Sequence, residues 1–302
     1  MLDIIGKRFW FLFIAGVVLL ASIISLLTVG LQTGIEFSSG TLMTVGFGEE
    51  VNQNQVREAL ADLGYPNVIV QNVGEEDFLI RLPSLEPGEK TGLEAGLTES
   101  LGTLEVRGFD AVSPMIATET AQNAAIAVAV AAIGILLYVT WAFRRMPNPF
   151  RYGTCAIIAL THDTLVALGV FSVLGSILGW EINLMFITGI LAVIGYSVNN
   201  TVVVFDRIRE NLARSGKADF TTVVNNSLIE SISRSLNTSL TTLFVVLALL
   251  LFVGATIQNF AVVLLTGIIA GTYSSMFIAP GLLVVWSKKE WGRFIVRSPR
   301  RK

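Results

Sequence analysis

Cysteine, histidine and charge are all scarce in this chain. Cys155 and His162 are the single residues of their kinds among 302. One cysteine excludes an intrachain disulfide and argues against a thiolate metal site, and one histidine excludes a histidine-rich metal cluster. Charged residues make up 15% of the chain and hydrophobic residues 53%, with a mean hydropathy of +0.68, whereas soluble proteins average about 25% charged. A membrane protein without a metal or cofactor is expected.

Charge is also divided unevenly along the chain. Residues 30–120 carry four basic and fifteen acidic side chains, a net charge of −11. The remainder carries seventeen basic and eight acidic side chains, a net charge of +9, so the overall value of −2 conceals the division. Such asymmetry indicates that the two parts face different environments.

Long apolar runs occupy most of the sequence. A helix that crosses a membrane needs about 20 mostly apolar residues, and six segments qualify: 9–29, 121–143, 153–178, 182–205, 228–253 and 259–286. They leave residues 1–8, the segment 30–120, a loop at 206–227 and a basic tail at 287–302. The first run is longer than the 7–15 apolar residues of a cleaved signal peptide, so an uncleaved anchor is expected.

Lysine and arginine cluster in alternate connections. Basic residues precede span one, lie between spans two and three, and follow spans four and six. The short loops GWEIN (179–183) and GATIQN (254–259) contain none. Because short cytoplasmic loops are enriched in lysine and arginine, both termini are predicted to lie in the cytoplasm and residues 30–120 outside it.

The segment 30–120 has the pattern of a small α+β domain. Apolar alternation and helical spacing predict strands at 41–47, 67–73, 77–83 and 103–112 and helices at 52–64 and 89–102. A Gly-Glu-Glu turn separates the two middle strands. The order β-α-β-β-α-β is that of a ferredoxin-like split βαβ unit. No cluster in it resembles an active site, so a binding or spacer module is expected.

Polar side chains interrupt three of the spans, and such residues usually face the interior of a helix bundle. They are His162, Asp163, Asn199, Asn200, Arg234 and Asn237. Arg234 and Asn237 share one face of span five with two threonines. A rise of about 1.5 Å per residue puts Asp163 and Asn200 at similar depths. Spans three, four and five are therefore predicted to share a polar layer, a candidate proton pathway.

Simpler explanations stay open for several of these residues. Asn199 can hydrogen-bond a neighbouring helix, which contributes about 1 kcal/mol or less. Glu230 and Arg234 can form an i,i+4 pair at the membrane interface. Asp163 is harder to explain in this way, because a carboxylate in the middle of a span needs a partner or water.

Two further residue pairs have structural interpretations. Asp206 and Arg207 follow span four, where a solvated helix end at the cytoplasmic interface is expected. Gly267 and Gly271 form a small-xxx-small pair in span six, which predicts a close contact between two helices.

Five motifs together resemble one known family. They are GIEFSSGT (34–41), THDTLVALGVF (161–171), GYSVNNTVVVFDRIREN (195–211), SRSLNTSLTTL (233–243) and GTYSSMFIAPGLL (271–283). They resemble, in this order, the motifs of the SecF family of bacterial protein export. Ser38 and Ser39 depart from that family's usual Thr-Gly. The resemblance covers essentially the whole chain.

The resemblance implies a polytopic α-helical protein, the six-helix half of an RND-type transporter, in the inner (cytoplasmic) membrane of the cell. It implies a non-enzymatic subunit that pairs with SecD beside the SecYEG channel and helps to move preproteins outward, coupled to the proton gradient. A YajC-type accessory subunit is a further implied partner. The basic tail is expected to contact anionic lipid headgroups, and nucleic acid is not an expected partner.

The family usually has aspartate where this chain has Asn200, and that aspartate is the family's candidate proton carrier. An amide does not titrate, so Asn200 cannot carry a proton. Three explanations stay open. The proton path can run through SecD's own carboxylate, with Asp163 and Arg234 in supporting roles, which is the explanation we favour, or Asp163 can carry the proton with Arg234 biasing its titration. Alternatively, the asparagine can be an introduced mimic of a protonated aspartate.

Two other functions also stay open. A stand-alone exporter of lipids or small hydrophobic molecules is one, although RND transporters normally combine two six-helix halves. A purely structural subunit is the other, and Asn200 favours it. Enzyme activity is not expected, because the sequence holds no HExxH-type metal site or nucleophile–base pair.

Overall fold

The computed structural model describes residues 3–73, 77–86, 88–216, 218–252 and 257–294. Its helices and strands follow in this order: α1 (Arg8–Thr28), α2 (Ile35–Ser38), β1 (Gly40–Phe47), α3 (Gln53–Asp62), β2 (Ile69–Asn72), β3 (Asp77–Leu82), α4 (Glu89–Leu101), β4 (Leu104–Val112), α5 (Pro114–Ala142), α6 (Pro149–Leu178), α7 (Leu184–Arg214), α8 (Phe220–Phe252), α9 (Gln258–Tyr273) and α10 (Ala279–Ser287). A π-helical turn, Ser274–Ile278, joins α9 to α10.

The chain divides into two compact units, one of residues 1–32 and 126–302 and one of residues 33–125. Within the described residues, six helical stretches are long and apolar enough to cross a membrane: Ile5–Thr28, Pro114–Ala142, Pro149–Leu178, Leu184–Arg214, Phe220–Phe252 and Gln258–Ser287. The sequence predicted the same number of candidate spans. We call the first unit the membrane unit, since most of these helices belong to it.

The six helices differ in how much of their surface they bury. About half of the apolar stretch is buried in α6 and α7, and 61% in the α9–α10 helix, against 11% in α1, 6% in α5 and 17% in α8. The first three therefore form the centre of the membrane unit. The other three expose large apolar side chains, as helices in contact with lipid or another membrane protein do.

Local signals in the sequence explain where the central helices begin and end. Pro149 starts α6, where its fixed φ and missing N–H are tolerated. Gly179 ends α6 with a φ of +68°, the left-handed conformation that glycine adopts without strain. Asn183 caps α7, because its side-chain oxygen accepts a hydrogen bond from Phe186 N at 3.0 Å.

Helix continues through most of the range that the sequence assigned to a loop between spans four and five. α7 runs to Arg214 and α8 begins at Phe220, because the charged stretch after span four is rich in good helix formers and forms i,i+3 and i,i+4 ion pairs. The predicted Gly-Glu-Glu turn at 74–76, the end of span five at 253 and the tail beyond 294 lie outside the described residues.

The start of the first membrane helix is held by distant residues. Asn225 Oδ1 accepts hydrogen bonds from the backbone N–H groups of Ile4 and Ile5, at 2.9 and 3.1 Å. Arg8 is 8% exposed and forms an ion pair with Glu290. Its Nη1 also donates to Ile5 O at 2.9 Å. Partners from α8 and from the segment after α10 thus hold several of the polar groups at this helix end.

The second unit is a small α+β domain. Its four strands form one antiparallel sheet in the order β2-β3-β1-β4. Met43 of β1 lies opposite Ile80 of β3 and Phe109 of β4. A bulge in β4 shifts the register between Thr44 and Val45. Apolar residues of the sheet and of α3 and α4 form the core: Met43, Val45, Val56, Leu60, Phe78, Ile80, Leu93 and Leu97.

Candidate functional site

Asp163 lies at the centre of a buried polar cluster in the membrane unit. It is 0% exposed, and its Oδ2 accepts hydrogen bonds from Ser197 Oγ and Ser274 Oγ, both at 2.6 Å. Its Oδ1 lies 3.0 Å from Nδ1 of His162. These partners belong to α6, α7 and the π-helical turn. The carboxyl group therefore joins three parts of the helix bundle.

The donors around Asp163 suit a buried carboxyl group. A buried carboxylate needs hydrogen-bond donors, and hydrogen bonds to an ionised group are shorter and stronger than neutral ones. The imidazole of His162 contacts the carboxyl oxygen that the two serines leave free, at 3.0 Å. Among the described residues, His162 Nε2 is buried without a hydrogen-bond partner.

The π-helical turn presents Ser274 to the carboxyl group. Pro280 lies two residues after this turn. Proline has no N–H for the carbonyl of the preceding turn, and its ring crowds that carbonyl. A widened turn relieves this crowding, and single π-helical turns of this kind occur often at functional sites. Proline chemistry thus explains why the last membrane helix departs from α-helical geometry beside Asp163.

Asn200 belongs to a second polar group, one turn further along α7 than Ser197. It is 3% exposed, and its Nδ2 donates a hydrogen bond to Ser239 Oγ of α8 at 3.2 Å. Thr272 Oγ1 of α9 lies 2.7 Å from the same oxygen. Because amides and hydroxyls stay neutral, this group connects α7, α8 and α9 without any charge.

Two glycines allow α9 to approach α7 closely at the depth of these groups. A Cβ at Gly267 would lie 2.1 Å from Cγ2 of Val193, and one at Gly271 would lie 3.0 Å from Cβ of Ser197. Both glycines therefore lie at a close helix contact, where a larger residue would separate the helices. This contact brings Ser197 and Ser274 to the same carboxyl oxygen.

Three of the predicted polar residues lie elsewhere. Asn199, Arg234 and Asn237 are exposed in this chain. Arg234 forms no ion pair with Asp163 in the part of the chain that the structure describes. The buried polar face of α8 consists instead of four serines that sequence reasoning missed: Ser227, Ser231, Ser235 and Ser239. Their regular spacing of four residues was the available signal.

Charged residues link α7 to α8 near the ends of these helices. Glu230 Oε2 accepts hydrogen bonds from Arg207 Nε at 2.6 Å and from Asn211 Nδ2 at 2.9 Å. Arg207 also contacts Glu210, at 2.5 Å. The structure thus pairs Glu230 with α7 and not with Arg234, the i,i+4 partner that the sequence suggested.

Asp206 lies beside this network. It is exposed and forms an ion pair with Arg209 of the same helix at 2.5 Å. Exposed pairs of this kind contribute about 0–1 kcal/mol. In the described residues, no group of three or more histidine, cysteine, aspartate or glutamate side chains could hold a metal ion.

Six apolar helices and a small α+β unit inserted after the first define a multi-pass membrane protein. The family model described as "Protein export membrane protein SecD/SecF, C-terminal" matches residues 93–289. The chain belongs to this family of protein-export membrane proteins. The resemblance noted from the five motifs is therefore confirmed.

Relatives named "Protein translocase subunit SecF" match nearly the whole chain. The protein from Thermobaculum terrenum is 42% identical over 99% of this chain and 98% of its own length. The one from Anaerolinea thermophila is 38% identical, covering 99% of both chains. Such subunits are non-enzymatic components of membrane transport, as the sequence predicted for this chain.

A solved structure has the same fold. The crystal structure of SecDF from Thermus thermophilus, described as a translocon-associated membrane protein, matches with a TM-score of 0.83 at 31% identity. The match covers 95% of this chain and 39% of that one. This chain therefore spans about two fifths of the length of that SecDF protein.

Proposed function

We propose that this chain is a SecF-type subunit that works with a SecD-type partner in preprotein export through a SecYEG-type channel. The observation that carries the proposal is the polar face of α8, where Arg234 and Asn237 are exposed. Charged and strongly polar side chains of a membrane helix usually face protein or water and not lipid. This face therefore requires cover from another membrane protein or access to water. The SecDF relative, more than twice as long, supports a SecD-type partner as the cover.

The arrangement in the membrane is part of the proposal. Both termini lie in the cytoplasm and residues 30–120 lie outside the inner (cytoplasmic) membrane, as the distribution of lysine and arginine supports. The outside unit has a ferredoxin-like topology, which its β-α-β-β-α-β element order and β2-β3-β1-β4 sheet order support. It serves as a contact surface for the emerging preprotein. A YajC-type subunit and anionic lipid are further proposed partners.

Proton coupling in this complex runs mainly through the SecD-type partner. Asn200 donates to a serine hydroxyl and has no titratable proton. Asp163 is held by two serine hydroxyls and His162, and Arg234 lies on a different, exposed face of the bundle. The geometry thus favours a supporting role for Asp163 in helix packing over a direct path from Arg234.

Complementation of cells depleted of their own SecF-type subunit tests the proposal. The chain is expected to restore export of a model preprotein and to co-purify with the SecD-type partner. Replacing Arg234 with leucine is expected to weaken both the export of the preprotein and the co-purification, because the SecD-type partner loses its polar contact with Arg234. The matched control is Leu240→Ala, which changes an exposed but apolar position of the same helix. Failure of the unaltered chain to co-purify with the partner would favour a stand-alone exporter.

Two further variants separate the possible proton carriers. Asn200→Asp is expected to be tolerated or to improve export, with Asn199→Asp as the exposed control. Asp163→Asn is expected to preserve most of the activity, because the amide oxygen still accepts a serine hydrogen bond. If export fails only in Asp163→Asn, the working carboxyl group is in α6. If only Asn200→Asp restores export, the unaltered chain is a form without its proton site.

A further inference from the structure

The four buried serines of α8 form a row that runs into the membrane unit from a polar cavity. The cavity has a volume of about 170 Å³ and lies between the charged parts of α7 and α8. Ser231 of the row lines it, together with Val203, Asp206, Arg207, Glu210, Glu230 and Arg234. A water molecule takes about 30 Å³ in the liquid, so the cavity has room for several.

Three serines of the row have hydrogen-bond partners. Ser227 accepts from Asn211 at 3.0 Å and Ser239 accepts from Asn200 at 3.2 Å. Ser231 donates to the carbonyl of Ser227 at 2.8 Å, which leaves its oxygen free to accept. The two ends of the row are therefore fixed by amide side chains of α7.

Ser235 differs from the other three. It is 1% exposed, and its Oγ has no hydrogen-bond partner in the part of the chain that the structure describes. It lies along α8 between Ser227, which contacts Asn211, and Ser239, which contacts Asn200. A buried hydroxyl without a partner costs about 1–3 kcal/mol, and such groups are commonly satisfied by internal water.

The spacing of the row suits water as that partner. Residues four apart on a helix are separated by about 6 Å along its axis. One water that hydrogen-bonds at about 2.8 Å on each side spans this distance. Waters between Ser231, Ser235 and Ser239 would therefore link the cavity to the amide of Asn200.

We infer that Ser235 is a water-binding position and that a file of water leads from the cavity along α8 to Asn200. The path enters at the charged ends of α7 and α8 and stops at the neutral group of Asn200, Ser239 and Thr272. It is a property of the folded membrane unit and does not depend on export activity.

Cysteine accessibility in the full-length chain tests this path. Cys155 is first replaced by alanine, and a single cysteine is then introduced at position 235 or, as control, at 172. Ser172 is equally buried but bonded to Ser25 at 2.9 Å, and it lies closer to the opposite ends of the helices. The reagent is 2-aminoethyl methanethiosulfonate, applied to either side of membrane vesicles.

Ser235→Cys is expected to react at least about ten-fold faster than Ser172→Cys, because a thiol in contact with water ionises and one in apolar surroundings does not. The reaction is expected from the side that holds the charged ends of α7 and α8. Equal rates, or reaction from the opposite side alone, would overturn the proposal.

The stability of Ser235→Ala provides a second test that does not depend on thiol chemistry. If water binds Ser235, removal of the hydroxyl also removes a satisfied hydrogen bond, and the melting temperature of the chain is expected to stay constant or fall. If the hydroxyl is dry, its removal relieves an unsatisfied polar group. A higher melting temperature would therefore contradict the water path. Ser172→Ala, which removes a hydroxyl with a protein partner, is the control and is expected to lower it.

Discussion

The close contact between α7 and α9 makes Gly267→Ala a sharp test of the helix packing. A Cβ at Gly267 would lie 2.1 and 2.5 Å from the two methyl carbons of Val193 and 2.8 Å from its Cβ. Val193 is 1% exposed and, as a β-branched residue in a helix, has one strongly preferred rotamer. It cannot turn away from the added methyl group.

The expected cost follows from these contacts. Overpacking of a core costs about 1–3 kcal/mol, and three contacts below 3 Å put Gly267→Ala at the upper end. Alanine is a better helix former than glycine by about 1 kcal/mol. The net loss in the free energy of unfolding is therefore about 2 kcal/mol.

Thermal unfolding of the purified full-length chain in one detergent measures this loss. Gly195→Ala is the matched control, because nothing lies within 4 Å of a Cβ at that position of α7. Gly271→Ala is expected to fall between the two, since its nearest neighbour, Cβ of Ser197, is 3.0 Å away. Adding Val193→Ala to Gly267→Ala is expected to restore only part of the stability. If Gly267→Ala melts at or above Gly195→Ala, the close approach of α7 and α9 is refuted.

Three other predictions concern polar contacts. Asp163→Leu removes the acceptor of two serine hydrogen bonds and is expected to lower the free energy of unfolding by about 3 kcal/mol. Asp163→Asn keeps an acceptor and is expected to lose less. Equal melting temperatures of the two variants would contradict the hydrogen bonds assigned to Asp163. Arg207→Ala breaks a solvent-exposed pair with Glu230 and is expected to change the melting temperature little. A fall as large as that of Asp163→Leu in the same thermal assay would contradict this. Finally, the hydrogen bond from Lys288 lowers the pKa of Asp219. The pair therefore stabilises the protein fully at pH values above the ordinary pKa of an aspartate. This stabilisation is lost as the pH falls through the lowered pKa of Asp219. The difference in melting temperature between the chain and Asp219→Asn is expected to shrink in acid and at high salt, and a difference that grows in acid would contradict the assignment.

The number of membrane helices could be predicted because lipid leaves the chain little choice. A segment without water must satisfy every backbone group within its own helix, so about 20 apolar residues are enough to identify one. The strands of the small domain were predictable for a similar reason. Alternation in TLMTVGF (41–47) follows directly from a sheet with one buried face, and β1 (Gly40–Phe47) has that pattern of burial.

The partners of the polar residues could not be predicted in the same way. A mid-span carboxylate such as Asp163 needs donors, but its two serines are 34 and 111 residues away in sequence. Hydroxyl residues are common in these spans, and hydropathy does not distinguish Ser197 or Ser274 from the rest. Only the assembled helices select them.

The inward face of α8 was predicted wrongly, although the four-residue spacing of its serines was visible in the sequence. The most polar residues, Arg234 and Asn237, were expected to face the interior of the bundle, yet serines occupy it. A helix at the edge of the bundle packs one face against its own chain, and its opposite face can pack against a second protein. The sequence alone does not say which of these two faces a polar residue belongs to. Small hydroxyl residues allow tight packing within the chain, whereas the larger Arg234 and Asn237 stay exposed.

The ion pair of Arg8 with Glu290 has a consequence for biosynthesis. The two residues are 282 positions apart, and ribosomes add about 5–20 residues per second. Roughly 15–60 s therefore pass between the synthesis of Arg8 and that of its carboxylate partner. Asn225, which holds Ile4 and Ile5, also comes late. The first membrane helix is therefore made long before the partners of its polar end, and that end gains its ion pair only after the last helix has been made.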